Sequence, residues 1–266
     1  MSVQERSSHM RDILEKNCNP EGVIVCVFAD HKYTEVLSNW LRKQAEVSNA
    51  KPVVFCLDRQ TQSVCEGLRA EHILVPYSGD WLGFMRHQMA ITLEMLRMGF
   101  TPLISDIDAI WVRDPLPTTL QHSQDMVFSP GTIQPLVAHA KWGNVLCTGF
   151  FLLRPTLRTV SFIEEVSQRM NNEGDQPAIN RLLIEKQLDF TRPDLYAIPF
   201  RNHDVMQSYS ARLGVTKGLS VALLPNRLFQ RLAEKDEPTP LIIHPIAPKT
   251  QEAKIEVLKS LDLWNE

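Results

Sequence analysis

The stretch Pro102-Leu-Ile-Ser-Asp-Ile-Asp-Ala-Ile-Trp-Val112 decides how the rest of the chain is read. Pro102–Ser105 is a short apolar run with the character of a strand, and two carboxylates, Asp106 and Asp108, follow at once. Residues i and i+2 of an extended segment point to the same side, so both acids can converge on one cation. Hard oxygen ligands suit Mg²⁺ or Mn²⁺, which usually keep waters and take phosphate oxygens as further ligands. A D-x-D triplet is a very short pattern, and a turn-capping pair is its bland alternative. The setting favours a site, because carboxylates inside an apolar run are costly to bury without a partner.

Outward from this segment the chain alternates between two periodicities. Gly22–Phe28 (GVIVCVF) and Pro52–Leu57 (PVVFCL) are continuous, β-branched-rich runs that suit strands buried on both faces, and Ile73–Val75 is a shorter third. Tyr33–Gln44, Gln60–Arg69 and Phe84–Met98 carry helical spacing; the last has Met85, Met89, Leu93 and Leu96 on one stripe and is stopped by Gly99. This order predicts an α/β fold with a mainly parallel central sheet and helices on both faces. Ligands bind beyond the carboxyl ends of the strands in such sheets, where Asp106 and Asp108 stand. The remainder is less regular. Strands are expected at 126–129, 146–153, 195–199, 221–224 and 241–243, and helices at 156–170, 177–187 and 250–261. One domain over 22–266 is expected, behind a lead-in at 1–21.

Composition narrows the class. The chain has 266 residues, 44% of them hydrophobic, enough for a full core without disulfide or metal staples. A charged fraction of 22% excludes a disordered chain, and a net charge of −3 argues against nucleic acid as a partner. The 5 cysteines (18, 26, 56, 65 and 147) form no C-x-x-C pair and read as free thiols of a reducing compartment. Residues 1–17 carry no secretory apolar core, and no stretch approaches membrane-spanning length, so no membrane span and a cytoplasmic location are expected. A catalytic domain cut from a longer anchored protein would read the same way.

The segment Gly99–Pro117 (GFTPLISDIDAIWVRDPLP) resembles the signature of GT-A nucleotide-diphospho-sugar transferases. More closely, it resembles retaining glycosyltransferase family 77, the group with plant rhamnogalacturonan xylosyltransferases, arabinosyltransferases and protist cytosolic galactosyltransferases. Other segments resemble family elements in the family's order. They are Phe28-Ala-Asp-His-Lys-Tyr33 with Asn39-Trp40-Leu41, Cys147-Thr-Gly-Phe150 (Cys where the family has Asn), Asp175-Gln176, and His244 with Lys249, Lys254 and Leu263-Trp264. The resemblance implies a Rossmann-like GT-A fold. Its nucleotide-sugar half would span about 22–117 and a smaller, irregular acceptor-side half about 118–266.

The same resemblance implies a set of roles. Asp106, Asp108 and His244 would hold Mn²⁺ or Mg²⁺, and Asp106 would also touch the donor. Ala29, Asp30 and Tyr33 would meet the nucleotide, with a local helix cap as the alternative for Asp30. Thr148 and Gly149 would line the sugar site, and Lys249 would bind the β-phosphate. Asp175 would face the anomeric carbon, unless it serves only as a helix cap, and Gln176 would bind sugar hydroxyls. Arg86 stands near the family's lysine ahead of the D-x-D segment and would bind phosphate or sugar. Trp142 is either an exposed ring for an acceptor sugar or a buried loop anchor.

The implied activity is metal-dependent, retaining transfer of galactose, xylose or arabinose from a UDP-sugar to a protein-linked or small-glycan hydroxyl. Its partners are the nucleotide-sugar donor and a glycan or glycoprotein acceptor. Two alternatives stand beside it: a sugar-nucleotide nucleotidyltransferase, and a catalytically silent nucleotide-sugar-binding module. Nucleotidyltransferases usually carry a Gly-rich basic loop after the first strand, where this chain has Ala29-Asp30-His31-Lys32.

Overall fold

The computed structural model describes residues 3–170, 172–192, 194–232, 239–247 and 249–265. The first half reads α1 (Val3–Asn17), β1 (Val23–Ala29), α2 (Thr34–Val47), β2 (Val53–Cys56), α3 (Arg59–Leu68), β3 (His72–Leu74), α4 (Trp81–Arg97) and β4 (Thr101–Ser105). The second half continues with β5 (Ile110–Trp111), α5 (Leu116–Leu120), β6 (Met126–Pro130), α6 (Leu136–Trp142), β7 (Leu146–Leu153), α7 (Leu157–Arg169) and α8 (Asp175–Glu185). It closes with β8 (Leu195–Phe200), β9 (His203–Ser208), β10 (Arg212–Thr216), β11 (Leu219–Leu223), β12 (Phe229–Gln230), β13 (Ile242–Ile243) and α9 (Gln251–Ser260).

Eight strands form the main sheet, in the order β10-β11-β6-β7-β4-β1-β2-β3. The run β4-β1-β2-β3 is parallel throughout, as its β-α alternation dictates. β7 runs antiparallel to both neighbours, β4 and β6. Strand β1 shows why the sheet is buried on both faces. Its seven residues are all buried, with Ile24, Cys26 and Phe28 in one core and Val23, Val25, Val27 and Ala29 in the other. Each large aliphatic or aromatic side chain so buried contributes roughly 1.5–3 kcal/mol. A charge at any of these positions would have no polar partner. This layered arrangement is the one the GT-A resemblance implies. Among the described residues, no helix is long and apolar enough to cross a membrane.

Sequence patterning left three features unseen. Within the 1–21 lead-in, Val3–Asn17 forms a helix whose Met10 and Leu14 lie in the core, and Lys16 pairs with Glu71 at 2.7 Å. Second, β8 and β9 form a hairpin whose two turn residues, Arg201 and Asn202, both have positive φ (48° and 63°). That is the twist-matched two-residue turn, built here without its usual Asn-Gly signal. Third, the segment expected as a polar loop around Trp142 is the end of α6, stopped by left-handed Gly143.

A buried side chain of helix α8 clamps the start of β7. Asn180, fully buried, accepts from the Leu146 amide (3.0 Å) and donates to the Leu146 carbonyl (2.8 Å). Its amide thus substitutes for a neighbouring strand at the start of β7. Asn180→Ala should cost about 1–3 kcal/mol of unfolding free energy, because both Leu146 groups would be left buried without a partner. Denaturant unfolding measures this; a loss of under roughly 0.5 kcal/mol would mean the clamp is dispensable.

Candidate metal and donor site

The carboxyl end of β4 is where the expected residues meet. Asp106 follows Ser105 directly, and its amide donates to the Gly149 carbonyl of β7 at 2.7 Å. Two residues on, Asp108 turns inward and is 5% exposed. His244 arrives from the end of β13, where its amide donates to Gln230 of β12 at 2.8 Å. Its Nε2 lies 3.6 Å from Asp106 Oδ2 and 3.4 Å from Asp108 Oδ1. One ligand atom from each of the three falls within 4.8 Å of the others. Neighbouring ligands on an ion with bonds of about 2.1 Å sit about 3 Å apart, so a small contraction would close this set on Mn²⁺ or Mg²⁺. Two carboxylate oxygens and an imidazole suit such a divalent cation.

The surroundings fix the three side chains. The Lys254 ammonium of α9 pairs with Asp108 Oδ2, leaving Oδ1 toward His244. Burial alone would raise the Asp108 carboxyl, but His244 and Lys254 outweigh it and hold it well below the usual range. The Nδ1 side of His244 rests against the Arg231 guanidinium and lies 3.9 Å from Cys147 Sγ. Burial and Arg231 press the imidazole toward neutrality, yet its bond to Asp108 prevails and raises it to about 9. Gly149 supplies the space. A Cβ there would stand 2.0 Å from His244 Cε1 and 2.8 Å from Asp106 Oδ2.

A metal must therefore displace a proton from His244 Nε2. Mn²⁺ affinity, measured by calorimetry, should rise with pH below about 9 and approach tenfold per unit between about pH 6.5 and pH 8.5. Affinity that is flat across that range would remove His244 from the ligand set.

Asp175 lies beside the triad. Gly174 takes the N-cap position of α8, so Asp175 is the first helical residue rather than the cap. It is 6% exposed and accepts from the Gln176 amide at 2.7 Å. Burial raises its carboxyl to about 7, with Asp106 adding to the rise and the Gln176 amide and Thr148 hydroxyl opposing it. Gln176 bridges two backbones: its amide nitrogen donates to Gln134 O (2.7 Å) and its oxygen accepts from Thr148 N (3.3 Å). Its amide is engaged in holding the cleft wall. Asp106, Asp108, His244, Thr148, Gly149, Asp175 and Gln176 thus share one corner of the fold.

The other expected residues stand further out. Ala29 is buried, and its carbonyl accepts from Leu57. Asp30 caps a short 3₁₀ turn by accepting from Lys32 N at 3.0 Å, its local reading. Tyr33 donates its hydroxyl to the Lys249 carbonyl, which ties the β1 turn to the segment after β13. Lys249 Nζ lies 3.8 Å from the centre of the Trp81 ring. Arg86 Nη1 donates to Met170 O at the end of α7, 3.1 Å away. Trp142 is a buried anchor: its ring is 2% exposed, meets Phe190 edge-on, and donates Nε1 to Leu188 O at 3.2 Å. Its role as an exposed acceptor platform is excluded by that burial.

Two neighbours of the triad carried no motif. Arg231 follows β12 in an ordinary Phe-Gln-Arg-Leu stretch. Cys147, noted only as a departure from Asn, accepts from Gly149 N at 3.4 Å and from Arg231 Nη1 at 3.6 Å. Burial would raise this thiol, but Arg231 and His244 lower it. No spacing rule reaches the contacts with Arg231 and His244, because they join segments distant in sequence.

Comparison with known proteins agrees with this geometry. The family model described as nucleotide-diphospho-sugar transferase matches residues 48–258, well over half of the chain. A Dictyostelium discoideum UDP-galactose:fucoside alpha-3-galactosyltransferase is 25% identical over 163 residues, covering 58% of this chain and 24% of that protein. The Arabidopsis thaliana beta-arabinofuranosyltransferase RAY1 is 22% identical over 186 residues (64% of this chain, 34% of that protein). The Arabidopsis thaliana UDP-D-xylose:L-fucose alpha-1,3-D-xylosyltransferase MGP4 is 26% identical over 189 residues (59% and 52%). The chain thus spans from about a quarter to about half the length of these relatives. On the strength of the match over 48–258, this chain belongs to the nucleotide-diphospho-sugar transferase family.

Proposed function

We propose that the chain is a divalent-metal-dependent, retaining glycosyltransferase that moves galactose, xylose or arabinose from a UDP-sugar to a glycan hydroxyl. The convergence of Asp106, Asp108 and His244 at the end of β4, beside buried Asp175, carries this reading. An ion held by the three would supply Lewis-acid neutralisation of a departing diphosphate. The protein's own groups do the rest. Lys254 holds Asp108 in its ligating pose. Gln176 and Thr148 set the wall on which the donor sugar rests. Asp175, once ionised, would place a negative charge where positive charge develops at the anomeric carbon, an electrostatic role. Lys249 is the residue we assign to the diphosphate.

Two of the relatives carry fucose or fucoside in the names of their acceptors, so a fucose-terminated glycan or glycoprotein is the acceptor we favour. Five free cysteines, four of them buried, support a cytoplasmic site of action. A panel of UDP-galactose, UDP-xylose and UDP-arabinose, with and without methyl fucoside, tests the reading. Mn²⁺-dependent UDP release from one donor is expected, and the product should keep the donor's anomeric configuration by NMR. A folded protein that releases no UDP from any of them would overturn it.

A further inference from the structure

Trp81 takes no part in the chemistry above, yet it is a large exposed aromatic ring set against Gly174, the residue before Asp175. Whereas Trp40, Trp111 and Trp142 are at most 2% exposed, Trp81 is 49% exposed. A side chain at Gly174 would press on the ring (Cβ to Cη2, 2.9 Å), so glycine at this position lets the ring lie against the start of α8, the helix that carries Asp175. One face of the ring is covered by the Lys249 ammonium, 3.8 Å from the ring centre.

The helix start that carries Trp81 is firmly built. Asp80 caps it by accepting from Gly83 N at 2.7 Å, and the Tyr77 hydroxyl donates to Asp80 O at 3.0 Å. Gly79 and Gly83 leave room for the Tyr77 ring, whose hydroxyl would stand 2.3 and 1.9 Å from a Cβ at those positions. Gly83, inside the helix, lowers its local stability. With Gly79, ahead of the cap, it seats the ring that braces an exposed tryptophan.

We propose that Trp81 is the stacking platform for the acceptor's sugar ring, capped in the unliganded protein by Lys249 and bared when Lys249 turns to the donor diphosphate. An indole face suits the apolar face of a pyranose, as aromatic walls do in small-molecule sites generally. The same face holds an ammonium by cation–π attraction, so sugar and Lys249 compete for it. A doubly charged diphosphate outbids an aromatic ring for a lysine. Donor binding therefore opens the acceptor position, and the donor is bound first. The proposal rests on the donor reading above.

Three measurements test it with Mn²⁺ and UDP as probes. UDP should brighten the Trp81 fluorescence, obtained as wild type minus Trp81→Phe, as the quenching ammonium departs. Trp81→Ala should bind UDP about two- to fivefold more tightly by calorimetry, since Lys249 no longer has the ring to leave. Methyl pyranosides, methyl fucoside among them, should perturb the Trp81 signal only when UDP is present. If UDP does not bind the wild type, the donor reading fails and the proposal with it. If UDP binds without brightening, or binds Trp81→Ala more weakly, the capping by Lys249 is wrong while the donor reading stands. A UDP-loaded protein whose Trp81 signal ignores every pyranoside overturns the platform. Trp81→Leu, which fills space at the helix start but offers no π face, serves where Trp81→Ala fails to fold.

Discussion

Replacing Gly149 by alanine should weaken Mn²⁺ binding by about 10- to 100-fold and cut metal-dependent UDP release to match, while the protein stays folded. The reasoning is steric. Gly149 is not in the left-handed region, so alanine fits its backbone. What a methyl group cannot do is share space with His244, whose Cε1 and Nδ1 would lie 2.0 and 2.6 Å away, or with Asp106 Oδ2 at 2.8 Å. His244 is enclosed by Arg231 and Cys147 on its Nδ1 side, so its ring can yield only by swinging Nε2 off the shared point. The strand itself stays paired to β4 and β6, and overpacking of this kind costs roughly 1–3 kcal/mol. Calorimetric Mn²⁺ titration beside a denaturant melt separates the two effects. Wild-type Mn²⁺ affinity in Gly149→Ala would place the ion elsewhere.

Asp175→Asn should do something less usual: lower turnover by at least about 100-fold and stabilise the metal-free protein at alkaline pH. The carboxyl is raised from 3.8 to about 7 in the fold, chiefly by burial. An acid raised in this direction favours folding while it is protonated. That contribution is lost as pH climbs from about 4 to about 7, because the unfolded chain ionises freely and the native one does not. At about pH 8 the full penalty is present, and a shift of this size corresponds to an upper bound of roughly 4 kcal/mol. Asparagine keeps an oxygen for the Gln176 amide and carries no charge, so it escapes the penalty. Thermal melts should show the variant several degrees more stable at about pH 8 and nearly equal to wild type only below about pH 4, where the carboxyl is protonated in both the native and the unfolded chain. A variant less stable at both pH values would make Asp175 a structural residue. Unchanged turnover would remove it from the chemistry.

The strands were legible because burial on both faces writes itself into composition. GVIVCVF, PVVFCL and LCTGFFLL each lie within a residue or two of the observed β1, β2 and β7. The acidic pair was legible for the opposite reason, since charge inside such a run has to be explained. What patterning missed is held by contacts across the fold or by weak local signals. Helix α1 buries only part of one face and reads as a polar lead. The Arg201-Asn202 turn uses a non-glycine left-handed residue pair. Trp142 sits among polar neighbours in sequence while its ring enters the core beside Phe190. Trp81 and Arg231 belong to no motif, and only the assembled cleft shows what they adjoin.

The position of β1 in the sheet bears on how the protein should be cut for expression. The match to the family model begins at residue 48, beyond β1 and α2. Yet β1 lies between β4 and β2, so a boundary drawn by similarity would split the sheet at its middle. It would leave two unpaired inner strands with their apolar residues in water, a template for edge-to-edge aggregation. It would also remove Tyr33, the hydroxyl that secures the Lys249 segment beside the metal site. A boundary that keeps the sheet whole also has to keep α1, whose Met10 and Leu14 lie in the core.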